Sequence, residues 1–256
     1  MKLSVIAPIG TSPPVVTEFV QYVEDGLCER ISDVTVISTS DPYVVSCAEL
    51  AEQAVIDRYP HIHFHRCQLD FEDIDSQERL MEFMLKIAKL LMDQIEIYKA
   101  DKIYVNSAGG RKDALMALLT LCQFIPVAGV FHIVMPDVKA FNIELERIKK
   151  NIEEIGRTKD KRKYYLDNKN LFDPLMYPHR STYSVIKIPV IPFPPSVLQK
   201  LIKTLSNDKM KISTSGLDYM HIKMLVSIGI VVSDMKYLYP TDEGRFLLKI
   251  IKIFYK

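Results

Sequence analysis

Asn106-Ser107-Ala108-Gly109-Gly110-Arg111-Lys112 is the stretch whose residue types and order could do chemistry. Two adjacent glycines let a backbone turn tightly or come up against a ligand. Arg111 and Lys112 follow at what reads as a helix start, where unpaired N–H groups and the helix dipole already favour an anion. Cations at that end are unfavourable unless an anion joins them, so the order points to phosphate. The alternative is a plain strand-to-helix turn with solvated charges. The spacing is neither the Walker G-x-x-x-x-G-K nor the dinucleotide G-x-G-x-x-G. A second loop, Pro8-Ile9-Gly10-Thr11-Ser12-Pro13-Pro14, puts Thr11 or Ser12 at or near a helix N-cap. Alone it is simply a capped helix.

Other chemistry-bearing residues are sparser. His61-Ile-His-Phe-His65 alternates strictly, so three imidazoles share one strand face. A zinc site is conceivable there, but a strand edge facing solvent is the commoner use. No Asp/Glu/His cluster falls at convincing metal spacing, so neither metal nor cofactor is expected. Cys28, Cys47, Cys67 and Cys122 form no C-x-x-C pair and read as reduced thiols of a cytoplasmic protein.

The elements that must hold these residues alternate. Leu3 to Ala7, Val34 to Ser38, Ile103 to Val105 and Gly129 to Met135 read as strands, near-continuous apolar runs suited to a covered sheet. Between them, Val15 to Val23, Val44 to Ile56, Ser76 to Tyr98 and the segment from Ala114 recur at helical spacing. Asp70 to Asp75 reads as an acidic linker. Strand–helix alternation implies a Rossmann-like parallel sheet, whose ligands bind outside the carboxyl ends of the strands. The Thr11–Ser12 and Gly109–Lys112 loops would both emerge on that edge, and together they count for more than either alone.

A charged helix from Phe141 to Ile155 leads into Gly156 to Lys169, the most basic stretch of the chain. Such a run is usually a solvated loop, although Tyr164 and Tyr165 within it offer rings on which bases could stack. Tyr183 to Val190 reads as a last strand broken by Pro189, and Pro192-Phe-Pro-Pro195 as a stiff linker. The boundary is therefore placed between residues 1–192 and 193–256. Two helices (Ser196 to Leu205, Leu217 to Ile228), a hairpin (Gly229 to Pro240) and a capped final helix from Thr241 give a small winged-helix-like unit. Its presumed recognition helix offers only His221 and Lys223, where a DNA reader needs several Arg or Lys.

Composition sets outer limits. Of 256 residues 48% are apolar and 25% charged, with a net charge of +1, which excludes a strong global field for nucleic acid. The N-terminal residues lack a signal-type apolar core, and no run is long enough to span a membrane.

Ile9-Gly-Thr-Ser-Pro-Pro-Val-Val-Thr-Glu18, taken with Asn106 to Lys112, resembles the CARF domain of CRISPR-associated proteins over roughly the first two-thirds of the chain. CARF followed by a winged helix resembles the archaeal ring nucleases that degrade cyclic tetra-adenylate, and also the messenger-responsive CRISPR transcription regulators. The resemblance implies a two-fold homodimer that binds the ring across its axis. It further implies a metal-independent cleavage, in which a ribose 2′-hydroxyl attacks the adjacent 3′-phosphate to leave linear products with a 2′,3′-cyclic phosphate. On this reading Ser12 and a lysine from the segment after the core are catalytic, Lys169 being the first candidate and Lys163 the second. Gly10, Thr11, Ser12, Ser40, Asn106, Ser107, Gly109, Gly110, Arg111, Lys112 and Lys163 would bind the ligand. The regulator reading instead gives the winged helix a DNA partner. The Arg-x-x-x-x-His of a HEPN nuclease is absent from the C-terminal part.

Overall fold

The structure is a computed structural model that describes residues 1–255, the side chain of Val138 excepted. β1 (Leu3–Pro8) is buried at every position, as a strand covered on both faces must be. In chain order α1 (Pro14–Gln21), β2 (Ile31–Ser38), α2 (Pro42–Arg58), β3 (His63–Gln68) and α3 (Gln77–Glu96) follow. Next come β4 (Lys102–Asn106), α4 (Lys112–Leu121) and β5 (Gly129–Val134), then α5 (Val138–Arg147), α6 (Lys149–Arg157), α7 (Lys161–Asp167), α8 (Lys169–Met176) and β6 (Ser184–Ile188). The sheet runs β3-β2-β1-β4-β5-β6, parallel except for β6, which pairs antiparallel with β5 from Val130↔Ile188 to Val134↔Ser184. This is a Rossmann-like α/β sheet, and its strand order reverses direction between β1 and β4.

The period-two alternation of β1 divides the core. Val5 and Ala7 join α1, α2 and α5 to α8 on one face, while Ile6 joins α3 and α4 on the other. α1 and α4 therefore leave the two central strands toward opposite faces, and the loops that lead into them meet at the carboxyl edge.

Two expected stretches are organised differently. The helix expected from Phe141 to Ile155 is broken at Ile148, which ends α5 and begins α6. The basic stretch from Gly156 to Lys169 is no loop: it forms α7 and the start of α8, laid along α2. The reason lies in the acids of α2. Lys161 lies 3.6 Å from Glu49, Arg162 donates to Asp57 at 2.6 Å, and Lys169 also pairs with Asp57. Tyr165, expected as a platform for bases, is fully buried and stacks on Phe172 with centroids 5.9 Å apart. Tyr164 is half-buried against the same ring.

Beyond β6 the chain forms α9 (Pro195–Leu205), β7 (Met210–Lys211), α10 (Ile212–Ser215), α11 (Tyr219–Ser227), β8 (Val231–Ser233), β9 (Tyr237–Pro240) and α12 (Asp242–Phe254). β7, β9 and β8 make a small antiparallel sheet in that order. Thr241 caps α12 by accepting from Gly244 N at 3.1 Å. Phe193 of the proline segment and Phe254 of α12 both stack on Phe124, at 5.5 and 6.0 Å. Leu198, Leu205, Leu238, Ile250 and Ile251 lie in one apolar cluster with Phe83 and Leu91 of α3 and Leu118 of α4. No helix among the described residues is long and apolar enough to cross a membrane.

Candidate functional site

The two glycine-bearing loops touch backbone to backbone. A Cβ on Gly10 would stand 3.4 Å from both Cα and N of Gly110. A Cβ on Gly109 would stand 2.2 Å from the carbonyl oxygen of Pro8, so no larger residue fits. Gly110 has φ +83°, the left-handed region that glycine enters without strain. Asn106 fastens the same joint: its Nδ2 donates to Val15 O at 2.8 Å and its Oδ1 accepts from Ala108 N at 3.0 Å. Ser107 is tied to β5, its N and Oγ both donating to Phe131 O, at 2.7 and 3.1 Å.

A cleft of about 450 Å³ opens beside this joint. Gly10, Thr11, Gly110 and Arg111 line it from the two loops, and Ser38, Thr39 and Asp41 from the end of β2. Another wall is the segment between β3 and α3, with Leu69, Glu72, Asp73 and Ile74, and Val44, Phe83 and Ala114 close it from α2, α3 and α4. That segment is sewn to the sheet edge: Leu69 N donates to Ser38 O at 2.8 Å and Ser40 N to Phe71 O at 2.9 Å. Its acids were legible only as a linker, although buried Leu69, Phe71 and Ile74 interrupt them at core spacing.

The expected site residues do not all face this cleft. Gly10, Thr11, Gly110 and Arg111 line the cleft, and exposed Lys112 begins α4 next to them. Ser12 lies half-buried one residue before Pro13, which is the N-cap of α1 and makes no side-chain capping bond, so the hydroxyl cap expected there is not formed. Asn106, Ser107 and Gly109 are buried and build the joint instead of facing a ligand. Ser40 lines a neighbouring cleft shared with Tyr43, Glu153 and Arg157.

The lysine candidates are displaced altogether. Lys169 pairs with Asp57, at the far end of α2 from Asp41, and lies 2.8 Å from Asp173. Sixteen residues of helix separate Asp41 from Asp57, roughly 24 Å at 1.5 Å per residue. Burial alone would lower the Lys169 pKa, but hydrogen bonds to Asp173 and Asp57 outweigh it and raise the value. Asp57 is shifted downward in turn, the donated hydrogen bonds from Lys169 and Arg162 outweighing its burial. Lys169 is thus a charged strut on the opposite edge of the sheet, and exposed Lys163 sits on α7 beside it.

Charge at the cleft is mixed. Arg111 Nη1 is ion-paired with Asp73, and its Nε lies 3.6 Å from Asp113. Asp41 is occupied as the cap of α2, accepting from Tyr43 N and Val44 N at 2.9 Å each. Among the described residues, no group of three His, Cys, Asp or Glu side chains could hold a metal. His65 pairs with Asp33 at 2.8 Å and His61 with Glu24 at 3.1 Å, away from the cleft.

The fold is similar to that of Enterococcus italicus Csm6 bound to cyclic hexa-2'-fluoro-hexa-dAMP, at 13% identity and a TM-score of 0.49. The match covers 80% of this chain and 47% of that one, so the chain spans about half the length of that protein. No curated protein matches the sequence. The family model described as CRISPR-associated protein NE0113 matches residues 12–217, from the β1–α1 loop to just past α10. The chain belongs to that CRISPR-associated family.

Proposed function

We propose that the protein is a ring nuclease that binds and opens cyclic tetra-adenylate at the joint of the β1–α1 and β4–α4 loops. The observation that carries this reading is the backbone contact of Gly10 with Gly110 at the strand-order reversal. It brings Thr11 and Arg111 into one cleft, with Ser12 and Lys112 adjoining them in the chain, at the carboxyl edge where ligands of such sheets bind. The start of α4 supplies N–H groups and partial positive charge, whereas Pro13 and Pro14 leave α1 few N–H groups to offer, and Arg111 supplies a planar fork for phosphate oxygens.

Cleavage requires the ribose 2′-oxygen to attack the adjacent phosphorus while the 5′-oxygen leaves. The new O–P bond closes a 2′,3′-cyclic phosphate, and the 2′-hydroxyl proton is balanced by one gained at the 5′-oxygen. Ser12 positions the attacking hydroxyl, and Arg111 and Lys112 offset the negative charge that grows on the phosphoryl oxygens. Lys169 takes no part, for the geometric reason above. A two-fold ring suits a homodimer in which each joint faces its own copy. Residues 1–192 form the ligand-binding unit, and 193–256 a winged-helix-like unit.

A messenger-responsive regulator that binds DNA is the alternative, and the character of α11 weighs against it. Its exposed side chains include Tyr219, Met220, Met224 and Val226, with Lys223 and with His221 paired to Asp218 at 2.8 Å. The test is purified protein incubated with cyclic tetra-adenylate in EDTA, with products resolved by chromatography. An intact ring after prolonged incubation, with binding retained, turns the enzyme into a sensor. Ligand-dependent gel shifts of promoter DNA at moderate salt would then favour the regulator.

A further inference from the structure

Arg111 already has an anion. Asp73 Oδ2 pairs with its Nη1, and both side chains line the same cleft. Asp73 does not wander to this place. Leu69, Phe71 and Ile74 root its segment in the apolar cluster that holds Phe83 of α3 and Ala114 of α4, and two backbone hydrogen bonds sew it to β2 and its following loop. Asp73 Oδ1 also accepts from Ile74 N at 2.8 Å, which fixes the carboxylate toward Arg111. The pair itself is open to water, the side chains of Arg111 and Asp73 being 55% and 43% exposed. Pairs this exposed are held weakly. A tethered carboxylate nevertheless competes at high effective concentration.

We propose that Asp73 sets the threshold for binding, as an internal competitor that a ligand must displace from Arg111 before the joint accepts phosphate. The inference rests on the reading that this joint takes a phosphate ligand. A lone phosphate group has little beyond its contact with Arg111 to set against Asp73, and is held too weakly to stay. A polyanion that also reaches Lys112 and the start of α4 gains contacts Asp73 cannot make, and is admitted. After exchange the Asp73 carboxylate lies near phosphate, and the repulsion loosens the segment from residue 69 to residue 75.

The test is calorimetric titration of wild type, Asp73→Asn, Arg111→Gln and the double variant with cyclic tetra-adenylate, AMP and inorganic pyrophosphate. Asparagine keeps the acceptor for Ile74 N while removing the charge. Asp73→Asn should tighten the ring and AMP alike, each about three- to tenfold, so that AMP binds at concentrations at which the wild type leaves it free. In the Arg111→Gln background the same change should gain less than about twofold, because the competition has lost its object. Unchanged or weaker binding by a folded Asp73→Asn protein overturns the proposal, as does an equal gain in both backgrounds. If Asp73→Asn does not fold, Asp73→Ser and amide exchange of the wild type replace it. Amides from residue 69 to residue 75 that stay as protected with ligand as without would then overturn it. Tighter pyrophosphate with no ring binding keeps the competitor and discards the ring; ring binding indifferent to Asp73 does the reverse. Loss of every probe from every variant discards both.

Discussion

Gly109 lies so close to Pro8 that a methyl group on it would stand 2.2 Å from the Pro8 carbonyl oxygen and 2.9 Å from Val15 Cγ2. Neither neighbour can give way, since one is strand backbone and the other belongs to the first turn of α1. Gly109→Ala should therefore cost roughly 3 kcal/mol of stability and lower the thermal midpoint by about 6–12 °C, read by denaturation. A midpoint within 2 °C of wild type would mean that the loops are not in contact.

Glu18 introduces a pH dependence. It is buried in α1, its Oε1 has no hydrogen-bond partner, and burial raises its pKa from 4.5 to about 7. Tyr183 passes the carboxyl by, donating to Glu18 O and Gln21 Oε1, each at 2.9 Å. A carboxyl raised on folding carries no penalty below its unfolded pKa, gains one as pH climbs through the interval, and bears it in full above the folded value. Stability should fall by about 3 kcal/mol from this group between pH 4.5 and 7. Glu18→Gln should be the more stable protein at pH 8, with its advantage shrinking toward pH 5. An advantage that grows on acidification would contradict the assignment.

Lys169→Ala should leave ring cleavage within about twofold of wild type while lowering stability by about 1 kcal/mol, since Asp57 retains Arg162 as a partner. Measured together, turnover and thermal midpoint separate a strut from a catalytic group. A hundredfold loss of turnover would return Lys169 to the reaction.

Ser12 and Arg111 should fail differently. Ser12→Ala should lower the single-turnover rate at least tenfold with a dissociation constant changed less than about threefold, because alignment is realised in the transition state. Arg111→Ala should weaken binding by about tenfold or more, its contact existing already with the bound ring. EDTA should alter neither rate, as no metal makes the nucleophile. Equal losses of rate and affinity in both variants would dissolve the distinction.

The central strands and their loops were legible because their signals are local. An apolar run, a glycine pair and a helical period sit within twenty residues of one another, and β1, β4 and α4 lie where those signals put them. The failures concern partners distant in sequence. The basic run from residue 156 to residue 169 looks solvated until Glu49 and Asp57, about a hundred residues earlier, are set beside it. The acids from residue 70 to residue 75 look like a linker until Asp73 meets Arg111, 38 residues on. Charge pairing of this kind leaves no periodicity, so a single chain offers nothing from which to read it. Asn106 shows the converse: its place in the motif was visible, but its role as a fastener to Val15 depends on a contact 91 residues away.

The stack of Phe193 and Phe254 on Phe124 makes the join between the two parts of the chain a seam and not a hinge. A protein cut after Pro192 would bare Phe124 and the outward faces of α3 and α4 to water, with nothing to roof them. Exchanging the segment from α9 to α12 for another therefore demands matching changes on α3 and α4. Evolution can trade this part only together with the wall it leans on.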